Sequence, residues 1–246
     1  MYESFAEVYD ALMDDFDYAA RSRYYLQIMK AAGFKGGSLC ECACGTGGMT
    51  VPFARAGLRV TASDLSGDML RLAANRALSA GVRVPFVQQD MRHIALHRPV
   101  DAVAACCDAV NYLTGERDVR AFFQSAYAAL KPGGVLAFDI SSRRKLEGMS
   151  DGFYGEDRGD IAYLWQNSYD PLPRLITMDL TFFVKDHGGL YRRFDETHLQ
   201  RAHDEGEIAS WLQDQGYQDI RIYGDMTLSA PTDKDMRIHF TARRGE

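Results

Sequence analysis

Apolar positions fall into a strand–helix rhythm from residue 38 to residue 140. Ser38–Cys44 predicts a short first strand that ends in Gly45-Thr46-Gly47-Gly48, with a helix following to about Gly57. Leu58–Ser63 predicts a second strand, closed by Asp64. Ser66 is placed to cap the helix carrying Met69, Leu70, Leu72, Ala73 and Ala77, which Gly81 stops. Val82–Gln88, Val100–Cys107 and Val135–Ile140 predict strands three to five. Between the last two, Val119, Phe122, Phe123, Ala126 and Leu130 mark a helix face, and Pro132-Gly133-Gly134 ends it. Strands joined through helices imply a parallel sheet covered on both faces.

Upstream, Phe5, Val8, Tyr9, Leu12 and Phe16 recur at helical spacing, which predicts helix over residues 1–30. Downstream the rhythm changes. Ile161–Tyr169, Leu175–Lys185 and Leu190–Arg201 are three long β-rich runs with turn residues between them, which predict an antiparallel meander. The α/β rhythm resumes at Asp204 and Glu207, which have capping-box spacing, and closes with strands at Tyr217–Tyr223 and Arg237–Arg243. The expected organisation is one α/β domain made of residues 1–140 and 204–246. It is interrupted by an inserted antiparallel β cap, residues 141–203, that binds substrate.

Composition narrows the setting. With 246 residues, 46% hydrophobic and 25% charged, the chain is globular. The net charge of −6 gives no general attraction to a nucleic-acid backbone or an anionic membrane. No run approaches the roughly 18 apolar residues of a membrane helix. The N-terminal residues lack the basic region of a secretory signal. Five cysteines, an odd number, suggest reduced thiols and a cytoplasmic protein. Cys40, Cys42 and Cys44 sit too close together for the usual zinc spacing. In an extended strand their sulfurs form a row on one face, where they pack as small apolar groups, so no metal is expected.

The chemistry concentrates at strand ends. In an open α/β sheet, ligands bind beyond the carboxyl ends of the strands. There the first strand delivers Glu41 and a glycine turn, the second Asp64, the third Asp90 and the fourth Asp108. A dinucleotide would want a third glycine where Thr50 stands. It would also bring a pyrophosphate into a crevice of acids with no expected Lys or Arg nearby. An acid-lined crevice suits a cation instead.

Glu41-Cys42-Ala43-Cys44-Gly45-Thr46-Gly47, Asp64 with Leu65-Ser66 and Met69-Leu70, Gln89-Asp90-Met91, and Lys131-Pro132-Gly133-Gly134 together resemble a class I S-adenosylmethionine (SAM)-dependent methyltransferase. Ala43 stands where that family often has a glycine. The resemblance implies a Rossmann-like α/β fold with a seven-stranded sheet in the order 3-2-1-4-5-7-6, and SAM as cofactor. By position it assigns Glu41 to the methionine ammonium, the backbone of Ala43, Cys44, Gly45 and Gly47 to the cofactor wall, and Asp64 to the ribose hydroxyls. Leu65 and Met69 would sandwich adenine, Asp90 and Met91 would meet its amino edge, and Cys107 and Asp108 would lie near the reacting methyl.

The segment Phe5-Ala6 to Leu12-Met13 and the β insertion with Thr197-His198-Leu199 are similar to a bacterial subgroup of small-molecule, amino-sugar N-methyltransferase-like enzymes. In that subgroup the N-terminal helix is a lid, which would bring Tyr2 and Tyr9 over the sulfonium. The expected reaction is methyl transfer to a nitrogen or oxygen nucleophile of a small acceptor, with Asp108, Glu196 or His198 accepting its proton. Nucleic acid and membrane are not expected partners, and a homodimer is left open. A non-catalytic SAM-binding protein and an RNA methyltransferase are the alternatives. The strand-four end, Cys107-Asp108-Ala109-Val110-Asn111-Tyr112, lacks the N-P-P-Y pattern used on flipped bases.

Overall fold

The computed structural model describes residues 8–9, 16–186 and 188–245. The part of the expected lid that rests on residues 1–7 and 10–15, Tyr2 included, lies outside the described residues.

Strand β1 (Ser38–Cys42) is buried from Leu39 onward, because it has a strand on each side and layers on both faces. It pairs in parallel with β2 (Arg59–Asp64) and with β4 (Val100–Ala105). Outside these lie β3 (Phe86–Gln88), parallel to β2, and β5 (Leu130–Ser141), parallel to β4. The final hairpin, β10 (Tyr217–Tyr223) and β11 (Arg237–Arg244), enters antiparallel, with β11 between β5 and β10. The sheet therefore runs β10-β11-β5-β4-β1-β2-β3. This is the expected order, with β10 and β11 as the sixth and seventh strands.

Helices cover the sheet. α1 (Tyr18–Ala31) is capped by Asp17, which accepts from the Ala20 N–H at 2.8 Å, and it buries Tyr24, Tyr25, Ile28 and Met29. α2 (Thr50–Arg55) follows the glycine turn. α3 (Gly67–Ser79) is capped by the Ser66 hydroxyl, which accepts from the Met69 N–H at 3.3 Å. α4 (Glu116–Ala129) puts Val119, Phe122, Phe123 and Ala126 into the core, where Phe138 stacks on Phe240 at 4.9 Å.

Residues between β5 and α6 (Glu205–Asp214) form α5 (Arg143–Gly148) and a separate four-stranded antiparallel sheet, β6-β7-β8-β9. Its strands are β6 (Phe153–Asp157), β7 (Ile161–Asp170), β8 (Leu175–Lys185) and β9 (Tyr191–Arg201). Period-two alternation sets its inner face. Ile176, Met178, Leu180 and Phe182 of β8 are buried, and Glu196, His198 and Gln200 of β9 share that face. Met69 of α3 joins the β8 residues in one apolar cluster, so the second sheet packs over the strand-end side of the first.

Some boundaries differ from the sequence reading. β6 is a fourth strand where three were expected; all five of its residues are exposed, so it carries no alternation to read. β1 stops at Cys42 because Ala43 turns left-handed at φ 51°. That turn sends Cys44 to the opposite face: Cys40 and Cys42 pack together with sulfurs 4.0 Å apart, while Cys44 joins the cluster on the other side. The three sulfurs do not form one row. β5 begins at Leu130, before the Pro132-Gly133-Gly134 turn, which the sheet accommodates as a register shift opposite Val100 and Ala102.

Candidate active site

The strand tips and the inner face of the second sheet enclose a cavity of about 400 Å³. That lies within the range usual for small-molecule sites. From β1 and its turn, Glu41, Ala43, Cys44 and Gly45 line it. From β2 and α3 come Asp64, Leu65 and Met69, and from the third strand end Asp90 and Met91. Tyr9, Cys107 and His198 complete the expected residues found in this wall. Three expected residues do not line it: Gly47, Asp108 and Glu196.

Glu41 is 1% exposed, and its Oε2 has no hydrogen-bond partner. Burial raises its pKa to about 8; the Thr50 side chain opposes that rise and the nearby Asp64 adds to it. A buried, unpartnered carboxylate oxygen facing a cavity is an expensive arrangement unless a donor or a cation arrives. Asp64 is held from the other side. Its Oδ2 accepts from the Gly45 N–H at 2.8 Å and its Oδ1 from the Ser66 N–H at 2.9 Å. Because Ser66 itself caps α3, Asp64 is free of the capping role and presents its outer lone pairs to the cavity. Burial raises its pKa, and the backbone donors partly offset this. Leu65 is 62% exposed and lines the cavity together with the buried Met69.

The glycine turn explains its composition. Gly45 and Gly47 are left-handed, at φ 54° and 81°. A Cβ on Gly47 would meet Ala73 of α3 at 3.1 Å, so Gly47 packs turn against helix instead of facing the cavity. A Cβ on Gly48 would fall 2.5 Å from the Tyr18 ring, which lines the cavity from α1.

Two of the four carboxylates are neutralised by arginines that the sequence reading did not place in the crevice. Asp90 binds the Arg92 Nε at 2.9 Å and its Nη2 at 2.6 Å, and Arg92 continues to Asp118 at 2.7 Å. The Arg92 hydrogen bonds hold the Asp90 pKa below its usual value. Arg92 and Asp118 both line the cavity. Asp108 is a correction: its Oδ1 accepts from the Arg237 Nη2 at 3.0 Å and its Oδ2 from the Gln200 Nε2 at 3.1 Å. These two partners draw its carboxylate away from the cavity, which Asp108 does not line. The acidic groups that line the cavity without an arginine partner are therefore Glu41 and Asp64. Among the described residues no Lys or Arg pairs with either.

On the cap side, the Nδ1 of His198 lies 3.2 Å from the Tyr112 hydroxyl, and both residues line the cavity. Burial lowers the His198 pKa, so the ring is neutral near pH 7. Glu196 sits two residues away on the same inner face, with its pKa raised by burial. Burial also pushes the Cys106 and Cys107 thiols well up, so little of either is thiolate near pH 7. Among the described residues no cluster of three metal-ligating side chains occurs.

The residues missed by sequence reading are of two kinds. Tyr112, Arg92 and Gln89 neighbour assigned strand ends and were reachable by position. Tyr18 was not, since its place depends on how α1 crosses the glycine turn.

Comparison with known proteins agrees with this geometry. Residues 39–134 match a family profile described as a methyltransferase domain. The chain is 36% identical over 248 residues to YqeM of Bacillus subtilis (strain 168), which bears a methyltransferase name, covering 100% of this chain and 98% of that one. It is 31% identical over 205 residues to the dTDP-3-amino-3,4,6-trideoxy-alpha-D-glucopyranose N,N-dimethyltransferase of Streptomyces venezuelae, covering 81% and 84%. A SAM-dependent methyltransferase from Clostridium acetobutylicum superposes with a TM-score of 0.89 at 29% identity, covering 100% and 99%. A cavity with an unpartnered buried glutamate at the first strand tip and a loop-held aspartate at the second suits SAM, which carries an ammonium and a ribose diol and no phosphate. The chain belongs to the SAM-dependent methyltransferase family.

Proposed function

We propose that the protein transfers the methyl of SAM to a nitrogen or oxygen nucleophile of a small molecule that enters beneath the second sheet. The observation that carries this reading is that His198, on the inner face of β9, lines the same cavity as Glu41 and Asp64. Cofactor and acceptor subsites thus share one hollow, with the acceptor wall supplied by the insertion.

In this reading Glu41 holds the methionine ammonium, Asp64 the ribose hydroxyls, and Leu65 and Met69 the adenine faces. Asp90 and the Met91 N–H meet the adenine edge, and the backbone from Ala43 to Gly47 forms the wall. Tyr9 and Cys107 close the space around the reacting centre. The chemistry that the cofactor supplies is a sulfonium-activated methyl, displaced in line. The protein's work is alignment and exclusion of water, which together can lower a barrier by about 7–11 kcal/mol. An amine acceptor must arrive unprotonated, and His198, kept neutral by burial and oriented by Tyr112, is the group placed to take its proton. Glu196 lies behind it on the same face. Asp108, tied to Arg237 and Gln200, positions and does not act as the base. The likeness to an amino-sugar N,N-dimethyltransferase supports an amine of a sugar-sized acceptor.

Calorimetry with SAM and with its demethylated product, S-adenosylhomocysteine (SAH), tests the cofactor half. Asp64→Ala should weaken SAM binding about tenfold or more, and unchanged affinity would contradict the placement. An acceptor panel of amino sugars, read by SAH formation, tests the other half. In that assay His198→Ala should lower kcat and leave only the rise with pH that comes from deprotonation of the amine acceptor; a variant with full turnover across pH would end the assignment of His198 as base.

A further inference from the structure

The residue with the most to hold at this site lies outside its wall. Asp139, near the C-terminal end of β5, is 1% exposed and was assigned no role from sequence. Its Oδ1 accepts from the Cys107 N–H at 2.7 Å and its Oδ2 from the Asp108 N–H at 2.8 Å. It also accepts from the Tyr25 hydroxyl of α1 and pairs with the Arg237 guanidinium of β11. The two residues it grips are both left-handed, at φ 61° and 54°. For non-glycine residues that conformation costs on the order of 1–2 kcal/mol each, so the surroundings must enforce it. Consecutive N–H groups converging on one carboxylate supply that enforcement. The same arginine that neutralises Asp139 reaches Asp108, and the other oxygen of Asp108 is held by Gln200 on the cap strand β9.

The geometry points to Asp139 as a positioning residue: its carboxylate fixes the Cys107–Asp108 turn that forms one wall of the cavity, and through Asp108 and Gln200 it clasps the cap sheet to that wall. Beside it, Asn111 makes a separate link from the turn to β5 and β9, through the Ser141 backbone and the Arg201 carbonyl. The turn borders the methyl-transfer end of the pocket, so its shape sets both how the cofactor seats and where the cap delivers an acceptor. This second part rests on the cavity being the SAM site.

Native-state alkylation of Cys107 by iodoacetamide, followed by mass spectrometry, reads the turn without any ligand. Asp139→Asn should accelerate that labelling about tenfold or more, weaken SAH binding by a similar factor, and still unfold cooperatively. Asp139→Ala should exceed it in both, since Asn retains one acceptor oxygen. Gln200→Ala, which spares the buried pair, should speed amide exchange in residues 194–203 and loosen Cys107 to a smaller degree. A purely structural role would lower Tm while leaving labelling and SAH affinity at wild-type values well below Tm, and that result would overturn the proposal. Should the Asp139 variants fail to fold, wild-type labelling and SAH affinity in both Gln200→Ala and Arg237→Lys would overturn it equally. Faster labelling with no SAH binding in the wild-type protein would uphold the clasp and reject the cofactor assignment.

Discussion

Glu41 concentrates the argument at the scale of single residues. Its carboxyl is buried, unpartnered at Oε2 and raised to a pKa of about 8, so at pH 7 it is mostly protonated before ligand arrives. An ammonium placed beside it favours the ionised form. SAH binding at pH 7 should therefore release close to one proton. Calorimetry in buffers of different ionisation enthalpy measures this directly, and Glu41→Gln should abolish the release. A wild-type enthalpy independent of buffer would mean that Glu41 does not meet the ammonium. Glu41 and Asp64 were legible because a carboxylate inside an apolar strand, or one just past a strand end, is conspicuous in a local window. Asp139 sits in an equally apolar strand, but its partners are far away in sequence: Arg237 is 98 residues on and Tyr25 is 114 residues back. No local pattern connects them. Asp108 was misjudged for the same reason, since its turning away depends on Arg237.

At the scale of elements, the seating of α1 on the glycine turn is the contact most open to test. Tyr18 begins α1, and its ring occupies the space over Gly48 that a side chain would need. Gly48→Ala places a methyl 2.5 Å from that ring, well inside van der Waals contact, so α1 must shift or the turn must yield. We expect a Tm lowered by several degrees and SAH affinity reduced several-fold, with far-ultraviolet circular dichroism unchanged. Wild-type values for both would show that the ring moves aside freely. Most elements could be read in advance because the sheet is buried on both faces and its strands are short apolar runs between glycine turns. Where that logic lapsed, the cause is visible. β6 lies at the open edge of the cap with every residue exposed. β1 ended two residues early because a left-handed Ala43, not an apolar residue count, decides where the strand stops.

At the scale of the whole molecule, the cap and the sheet meet at His203, just past β9. It is 1% exposed, with its ring 6.1 Å edge-on from Trp211 of α6. Burial, reinforced by Arg201, lowers its pKa to about 4. The folded state therefore binds fewer protons than the unfolded chain, where His titrates near 6.5. Stability is fully present above pH 6.5 and is lost as pH falls toward 4, by about 3 kcal/mol for this one group. Urea unfolding at pH 7.5 and pH 4.5 should show that loss, and His203→Gln should flatten it; an unchanged pH slope in the variant would shift the cause to other groups. The sheet order followed from family resemblance, but the meeting of Arg237 of β11 with Asp108 and Asp139 did not, because its antiparallel entry sets side-chain meetings that no spacing encodes. That entry has a temporal side. Asp139 leaves the ribosome 98 residues before the arginine that neutralises it. At about 5–20 residues per second that is an interval of roughly 5–20 s. Throughout it a carboxylate destined for the dry interior has no countercharge, so this corner of the nascent protein must stay hydrated until the closing hairpin is synthesised.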